Sequence, residues 1–246
     1  MARELGIKIA RVPTLSSYPV AEYAVTMMLT LNRKTHKAYS RVRNGNFSLE
    51  GLQGFDMNGK VVGIIGTGKA GSLTARILRG FGCQILAYDA LENQAFRDLG
   101  GRYTSLEELL SSSHIVSLHA PLLPATRHMI NRETIAKMKE GVMLINTSRG
   151  ALIDTRAMVE GLESGHIGAV GIDVYEGEEE LFHTDLSGLV LRDELFKQLM
   201  SFPNVLITGH QSSMTDSALE SVAQTTLMSL RQFRNQQPLR HEIILG

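Results

Sequence analysis

The chain has 246 residues, with 25 basic and 25 acidic side chains, so its formal net charge at pH 7 is zero. This balance excludes the basic footprint of a nucleic-acid-binding domain and a polybasic membrane patch, and it favours a small uncharged or weakly anionic ligand. A single cysteine, Cys83, excludes an internal disulfide and suits a reducing compartment, so we expect a cytoplasmic protein. No apolar run approaches the roughly 18 residues that a membrane span needs, so we expect no such span, and we predict no metal site.

The chain begins with a predicted helical turn that Gly6 ends, followed by a strand of alternating apolar residues from Ile7 to Val12. A strand needs a sheet to join, and nothing precedes this one. We therefore expect the chain to start inside a larger protein, with a compact paralogue or an alternative start as the minority alternative. Pro19 to about Arg43 is predicted to be one long amphipathic helix, which either packs on its own sheet or contacts a second subunit.

Six short runs rich in valine and isoleucine then alternate with helix candidates. Ser105, Asn131 and Asp154 are predicted N-caps, and a last long helix is predicted from Met214 to about Phe233. This alternation is typical of βα units, so the predicted fold class is α/β, with a doubly wound parallel (Rossmann) sheet and flanking helices. The runs are KVVGIIG (60–66), QILAYD (84–89), HIVSLHAP (114–121), VMLINTS (142–148), IGAVGIDV (167–174) and NVLITGH (204–210).

The first run leads directly into a GTGKAG segment and then a helix. In this context Gly66 allows a tight turn, Gly68 lets a pyrophosphate approach the backbone, and Gly71 lets the helix pack on the strand. The alternative interpretation is that glycine is needed here only for a tight turn and not for a bound ligand. Asp89 ends the next strand, where a carboxylate can accept hydrogen bonds from the adenosine ribose. NAD is therefore favoured over NADP, whose 2′-phosphate would meet a like charge with no arginine beside it.

Polar residues follow the later strands at one sheet edge: Arg149, the glutamates of 176–180, and His210. Reduction of a 2-keto acid by a nicotinamide needs a proton donor and a cation for the substrate carboxylate. His210 and Arg149 are of the required types, and one of the glutamates would bond the other ring nitrogen and favour the protonated ring. Taken singly, each residue is more often an ion-pair partner, a cap or a solvated loop charge.

The segments GTGKAG, SLHAPLLPATRHMI, INTSRGALID, GIDVYEGE and NVLITGHQ resemble, in this order, the D-2-hydroxyacid dehydrogenase family over almost the entire chain. NFSLEGLQGF and LFHTD resemble its fermentative D-lactate dehydrogenase branch. The resemblance implies catalytic roles for Arg149, Glu178 and His210, and a homodimer or higher homo-oligomer that interconverts pyruvate and D-lactate, a 2-keto and a 2-hydroxy acid, with NAD. It implies NAD contacts for Gly66, Gly68, Lys69, Ala70, Gly71, Asp89, Ala120, Pro121, Thr126, Thr147, Ser148, Arg149 and, beside the nicotinamide carboxamide, Asp173.

The family pairs its NAD-binding domain with a second, flavodoxin-like catalytic domain. By resemblance, residues 16–213 form the Rossmann domain, while 1–15 and the C-terminal helix region 214–246 are remnants of the catalytic domain. Loss of that domain would weaken substrate binding, so a catalytically impaired NAD-binding, dimerising remnant is the alternative, and an NAD-sensing corepressor is a weaker one. Ser212 and Ser213 replace an apolar and an aromatic residue usual in lactate enzymes, which leaves open another 2-keto acid as substrate.

Overall fold

The structure, a computed structural model, describes residues 7–12 and 17–243. The predicted turn before Gly6 lies outside these residues. The chain divides into a sheet unit, Val20–Ser212, and a terminal unit that combines the two chain ends, Met1–Pro19 and Ser213–Gly246. Within the described ranges, no helix has both the length and the apolar character needed to cross a bilayer.

The sheet unit contains one parallel sheet of seven strands in the order β3-β2-β1-β4-β5-β6-β7. This order confirms the doubly wound class. The sequence order of the strands reverses between β1 and β4, and such sheets bind ligands at this point, at the carboxyl ends of the strands. The six predicted strands are present. The sequence missed β3, because two residues are too short to show a pattern. The strands are β1 Val61–Ile65, β2 Gln84–Tyr88, β3 Arg102–Tyr103, β4 Ile115–Leu118, β5 Val142–Asn146, β6 Ile167–Ile172 and β7 Val205–Ile207.

Helices cover both faces of this sheet because successive strand residues point to opposite sides. Ile64 belongs to the buried apolar cluster that includes the buried residues of α1, and its neighbour Ile65 belongs to the other cluster, which includes those of α7. The apolar face of α1 is thus used within its own sheet unit. The helices are α1 Tyr18–Arg33, α2 Thr35–Arg43, α3 Lys69–Gly80, α4 Gln94–Asp98, α5 Leu106–Ser112, α6 Arg132–Ala136, α7 Thr155–Glu163, α8 Glu194–Ser201 and, in the terminal unit, α9 Asp216–Arg234.

The single long helix predicted for 19–43 is wrong, because the structure breaks it between α1 and α2. Lys34 has a left-handed backbone with φ of 51°. Its Nζ donates to the carbonyl oxygen of Gln53 at 2.8 Å, and the side-chain amide of Asn32 bonds both the N–H and the carbonyl of Phe55. Side-chain bonds to a distant loop therefore hold the bend, and a helical pattern cannot report such bonds.

The strand predicted for Ile7 to Val12 is also wrong in extent. In the terminal unit this segment forms one isolated antiparallel bridge, between Ala10 and Glu242. Backbone bonds from Arg11 N to His241 O (3.0 Å) and from Ile243 N to Ile9 O (2.8 Å) flank it. A strand over the whole segment would need a neighbouring strand of similar length. In the described part of the chain, only the short stretch around Glu242 pairs with it.

Candidate functional site

The glycine-rich turn after β1 has the shape that a bound phosphate group requires. Gly66 has φ of +94°, and a Cβ there would lie 2.6 Å from the backbone N of Ala120. A Cβ on Gly71 would lie 2.0 Å from the carbonyl oxygen of Gly66, whereas one on Gly68 meets no described atom within 4 Å. Helix α3 begins at Lys69 with no side-chain cap. Its first N–H groups therefore border an open space, which suits a dinucleotide pyrophosphate.

Asp89 lies beside this turn at the end of β2. One oxygen, Oδ2, accepts bonds from the Thr67 backbone N–H at 2.6 Å and from the Thr67 hydroxyl at 3.0 Å. The other, Oδ1, accepts from the backbone N–H of Leu91 at 3.1 Å. Oδ2 is thus fully bonded, whereas Oδ1 retains a further lone pair, so the group is oriented and can still accept a bond from a ribose hydroxyl.

The predicted cofactor residues after β4 and β5 are joined to each other. The Ser148 hydroxyl donates to the carbonyl of Ala120 at 2.7 Å, and the Thr126 hydroxyl donates to the carbonyl of Pro121 at 2.6 Å. Because Ala120 also contacts Gly66, the loops after β1, β4 and β5 meet at the point where the sheet order reverses. Lys69 is exposed and Ala70 is half-buried in the first turn of α3.

Thr147, which follows β5, carries a buried hydroxyl for which the described residues provide no hydrogen-bond partner. Buried polar groups without a partner cost stability and are rare in folded proteins. A polar group of a dinucleotide held at this sheet edge would satisfy the Thr147 hydroxyl. The residues present thus fit the NAD that the sequence predicted.

Removal of this hydroxyl should have opposite effects on the stability of the protein and on its affinity for NADH. Thr147→Val should raise the unfolding free energy of the nucleotide-free protein by about 1 kcal/mol, because an unsatisfied polar group is removed. The same change should weaken NADH about fivefold, which corresponds to one lost hydrogen bond. Denaturant unfolding and NADH titration measure the two effects. Ser113→Ala is the matched control, because its hydroxyl is also buried and unpaired among the described residues but lies before β4, and NADH affinity should not change.

The structure brings His210 and Glu178 together at the ends of β7 and β6. Nδ1 of His210 lies 3.0 Å from Oε1 of Glu178, and Oε2 accepts a bond from the backbone N–H of Tyr175 at 2.9 Å. His210 has φ of 54°, and its backbone N–H is bonded to the carbonyl of Asp173 at 2.8 Å. The carboxylate fixes which ring nitrogen carries a proton, and Nε2 has no hydrogen-bond partner in the described chain.

Asp173 is fully buried, and its carboxylate holds the segment that carries His210. It accepts bonds from the Thr208 hydroxyl at 2.5 Å, the Gln211 N–H at 2.9 Å and the Ser212 N–H at 2.8 Å. The role beside the nicotinamide carboxamide, implied by resemblance, stays a prediction. These three bonds show that Asp173 also positions the histidine loop.

Arg149 follows β5 at the same sheet edge, and no hydrogen bond among the described residues joins it to His210 or Glu178. Its side chain is exposed and Nη1 donates to the Ser148 carbonyl at 2.7 Å. The next residue, Gly150, packs against the chain before Glu178, since a Cβ there would lie 2.1 Å from the carbonyl carbon of Tyr175. Direct backbone contact therefore sets the position of the arginine segment relative to the glutamate segment.

Sequence reasoning missed four contacts near this edge, because each joins residues far apart in the chain. Glu176, expected as a loop charge, bonds Nη2 of Arg127 at 2.9 Å and Nε2 of His128 at 2.7 Å. The Tyr23 hydroxyl accepts from the Gln211 side chain at 2.7 Å. The ring of His183 lies 5.9 Å from that of His210, centroid to centroid. No local pattern reports any of these pairs.

His119 follows β4, and burial of its imidazole lowers its pKa to about 4. The unfolded chain, with an ordinary value near 6.5, binds more protons between these limits, so folding is weakened as pH falls from about 6.5 to 4. From pH 7 to pH 5 this residue should cost about 2 kcal/mol of unfolding free energy. In His119→Gln that part of the acid sensitivity should vanish in denaturant titrations at the two pH values. Equal losses in both proteins would contradict the prediction.

The reversed strand order, the glycine turn and the carboxylate after β2 together define a dinucleotide-binding α/β protein of the oxidoreductase type. The family model described as D-isomer specific 2-hydroxyacid dehydrogenase, NAD binding domain, matches residues 25–212. The chain belongs to this family, which confirms the resemblance, the enzyme class and the NAD cofactor.

Known relatives agree over nearly the full chain. A 2-hydroxyacid dehydrogenase homolog from Haemophilus influenzae is 50% identical over 234 residues, covering 95% of this chain and 71% of the relative. D-lactate dehydrogenase from Escherichia coli is 48% identical over 243 residues, covering 99% and 74%. The solved structure of the pyruvate reductase of Chlamydomonas reinhardtii matches with a TM-score of 0.94 and 48% identity, covering 97% of this chain and 72% of that one.

Proposed function

We propose that this chain interconverts pyruvate and D-lactate with NAD in fermentation. The His210–Glu178 pair carries the proposal, because it places an oriented imidazole at the carboxyl edge of a sheet whose glycine turn suits a dinucleotide. The similarity to a D-lactate dehydrogenase and a pyruvate reductase, each near 48% identity, supports pyruvate as the keto acid.

The side chains in this proposal have separate tasks. The chemistry that the bound dinucleotide supplies is hydride transfer to the keto carbon. Nε2 of His210 donates the proton that the carbonyl oxygen gains, while Glu178 holds Nδ1 and stabilises the charged ring. Arg149 binds the substrate carboxylate through its planar guanidinium, which a lysine could not replace with two parallel bonds. Reduction consumes one NADH and one proton and yields D-lactate and NAD⁺.

The cofactor contacts are part of the same proposal. The turn from Gly66 to Gly71 and the first turn of α3 would hold the pyrophosphate, and Asp89 would hold the adenosine ribose. Ala120, Pro121, Thr126, Thr147 and Ser148 would line the dinucleotide. The sheet unit serves as the NAD-binding domain, and the terminal unit belongs to the catalytic domain. We place the protein in the cytoplasm, where the buried thiol of Cys83 stays reduced.

The test is a titration of the purified chain with NADH, followed by pyruvate at saturation while nicotinamide absorbance is recorded. Turnover with D-lactate as product supports the proposal. His210→Ala should reduce turnover by about 10²- to 10⁴-fold, the range of a general acid, and leave the Kd for NADH within twofold. His241→Ala in the terminal unit is the control. NADH binding without turnover would refute the proposal for this chain and leave a nucleotide-binding remnant.

We also propose that subunits associate through the sheet unit. Helix α2 and the loop after it expose Val42, Phe47 and Leu49, each more than half exposed in the single chain. An apolar surface of this kind is a candidate protein contact. Light scattering would give the molar mass, and Phe47→Asp with Leu49→Asp should shift an oligomer towards the monomer.

A further inference from the structure

We propose that Tyr103 is a positioning residue that, through the Thr67 hydroxyl, fixes Asp89 for binding the adenosine ribose. This inference rests on the proposed cofactor site and deepens it. None of the sequence motifs includes Tyr103, which lies in β3, the strand that the sequence missed. We call the connected groups of Asn93, Tyr103, Thr67 and Asp89 the hydroxyl relay.

The relay has one consistent direction of donation. The backbone N–H of Asn93 donates to the Tyr103 hydroxyl oxygen at 2.8 Å. That hydroxyl donates to Oγ1 of Thr67 at 2.7 Å, and the Thr67 hydroxyl donates to Oδ2 of Asp89 at 3.0 Å. A threonine hydroxyl has a single proton, so the bond from Tyr103 leaves that proton for the carboxylate.

The ring of Tyr103 is itself held in place. Phe96, which is fully buried, packs against it with centroids 5.4 Å apart, and the guanidinium carbon of Arg97 lies 5.1 Å from the ring centroid. The sequence suggested no arginine near Asp89. In the structure Arg97 reaches the other end of the relay, where it also pairs with Glu92. The relay therefore starts from a fixed ring rather than from a mobile surface side chain.

Fixing Asp89 matters because a ribose presents two neighbouring hydroxyls that need an acceptor in one orientation. The Thr67 residue lies inside the glycine turn, so the relay couples the pyrophosphate turn to the ribose carboxylate. Without the Tyr103 hydroxyl, the Thr67 proton can turn towards other acceptors, and Asp89 then loses one of its three protein donors. Preorganised acceptors bind more tightly because less freedom is lost on binding.

The test compares Kd values for NADH and for ADP-ribose, a probe that contains the adenosine ribose but no nicotinamide. Tyr103→Phe should weaken both about fivefold, the equivalent of one hydrogen bond. Thr67→Val should weaken both at least as much, and adding Tyr103→Phe to it should cause no further loss. Thr67→Ser retains the hydroxyl and should bind both ligands within twofold of the parent. Saturating turnover should not change in Tyr103→Phe.

Tyr39→Phe is the matched control, because it removes the hydroxyl of an exposed tyrosine on α2. Unfolding midpoints of all variants show whether the sheet unit is intact. The relay is overturned if Tyr103→Phe binds both ligands as tightly as Tyr39→Phe does, or if Tyr103→Phe and Thr67→Val losses simply add. Asp89→Ala separates the two proposals: if this variant binds NADH normally, the proposed ribose site is wrong, whatever the result at Tyr103.

Discussion

Gly150→Ala should lower pyruvate reduction at least about 100-fold, the loss that a misplacement of about 1 Å can cause. The new Cβ would lie 2.1 to 2.4 Å from the carbonyl group of Tyr175 and the backbone N of Glu176, which are backbone atoms that cannot rotate away. Relief of this overlap must separate the segment of Arg149 from that of Glu178. Steady-state kinetics with NADH and pyruvate would measure the loss.

The same variant should lose about 1 to 3 kcal/mol of unfolding free energy, the usual cost of overpacking. This second readout does not depend on turnover. Gly188→Ala is the matched control, since a Cβ there meets no described atom within 4 Å, and it should alter neither quantity. A Gly150→Ala protein with parental stability and activity would show that the contact between the two segments is not a fixed one.

Asp173→Ala should destabilise the sheet unit by about 3 to 5 kcal/mol and release the loop that holds His210. The change removes a buried acceptor and leaves two backbone N–H groups and the Thr208 hydroxyl without a partner. Denaturant unfolding gives the stability, and turnover of the remaining folded fraction should fall because His210 is no longer held beside Glu178.

Thr208→Val provides a graded comparison for this prediction. It removes one of the three donors and keeps the buried carboxylate bonded to the other two, so it should cost about 1 to 2 kcal/mol. If Asp173→Ala cost no more than Thr208→Val, the carboxylate would not be the group that organises the loop.

Local patterns in the sequence were sufficient for the sheet and for the types of residue at its edge. Apolar runs predicted six strands, and the N-caps at Ser105, Asn131 and Asp154 accept the expected backbone bonds. The motifs at Gly66 and His210 indicated the family because neighbouring residues carry them. Each of these signals spans only a few residues, so no tertiary information is needed to detect it.

Tertiary structure decided which of these side chains act together. Apart from the family resemblance, only the fold shows that Glu178, rather than a neighbouring glutamate, is bonded to His210. Likewise, only the fold joins Asp173 to Thr208 across 35 residues. The bend at Lys34 and the bond from Tyr103 to Thr67 depend likewise on partners distant in the chain. The sequence determined the elements because their signals are local, whereas the site geometry follows from packing that only the assembled sheet brings about.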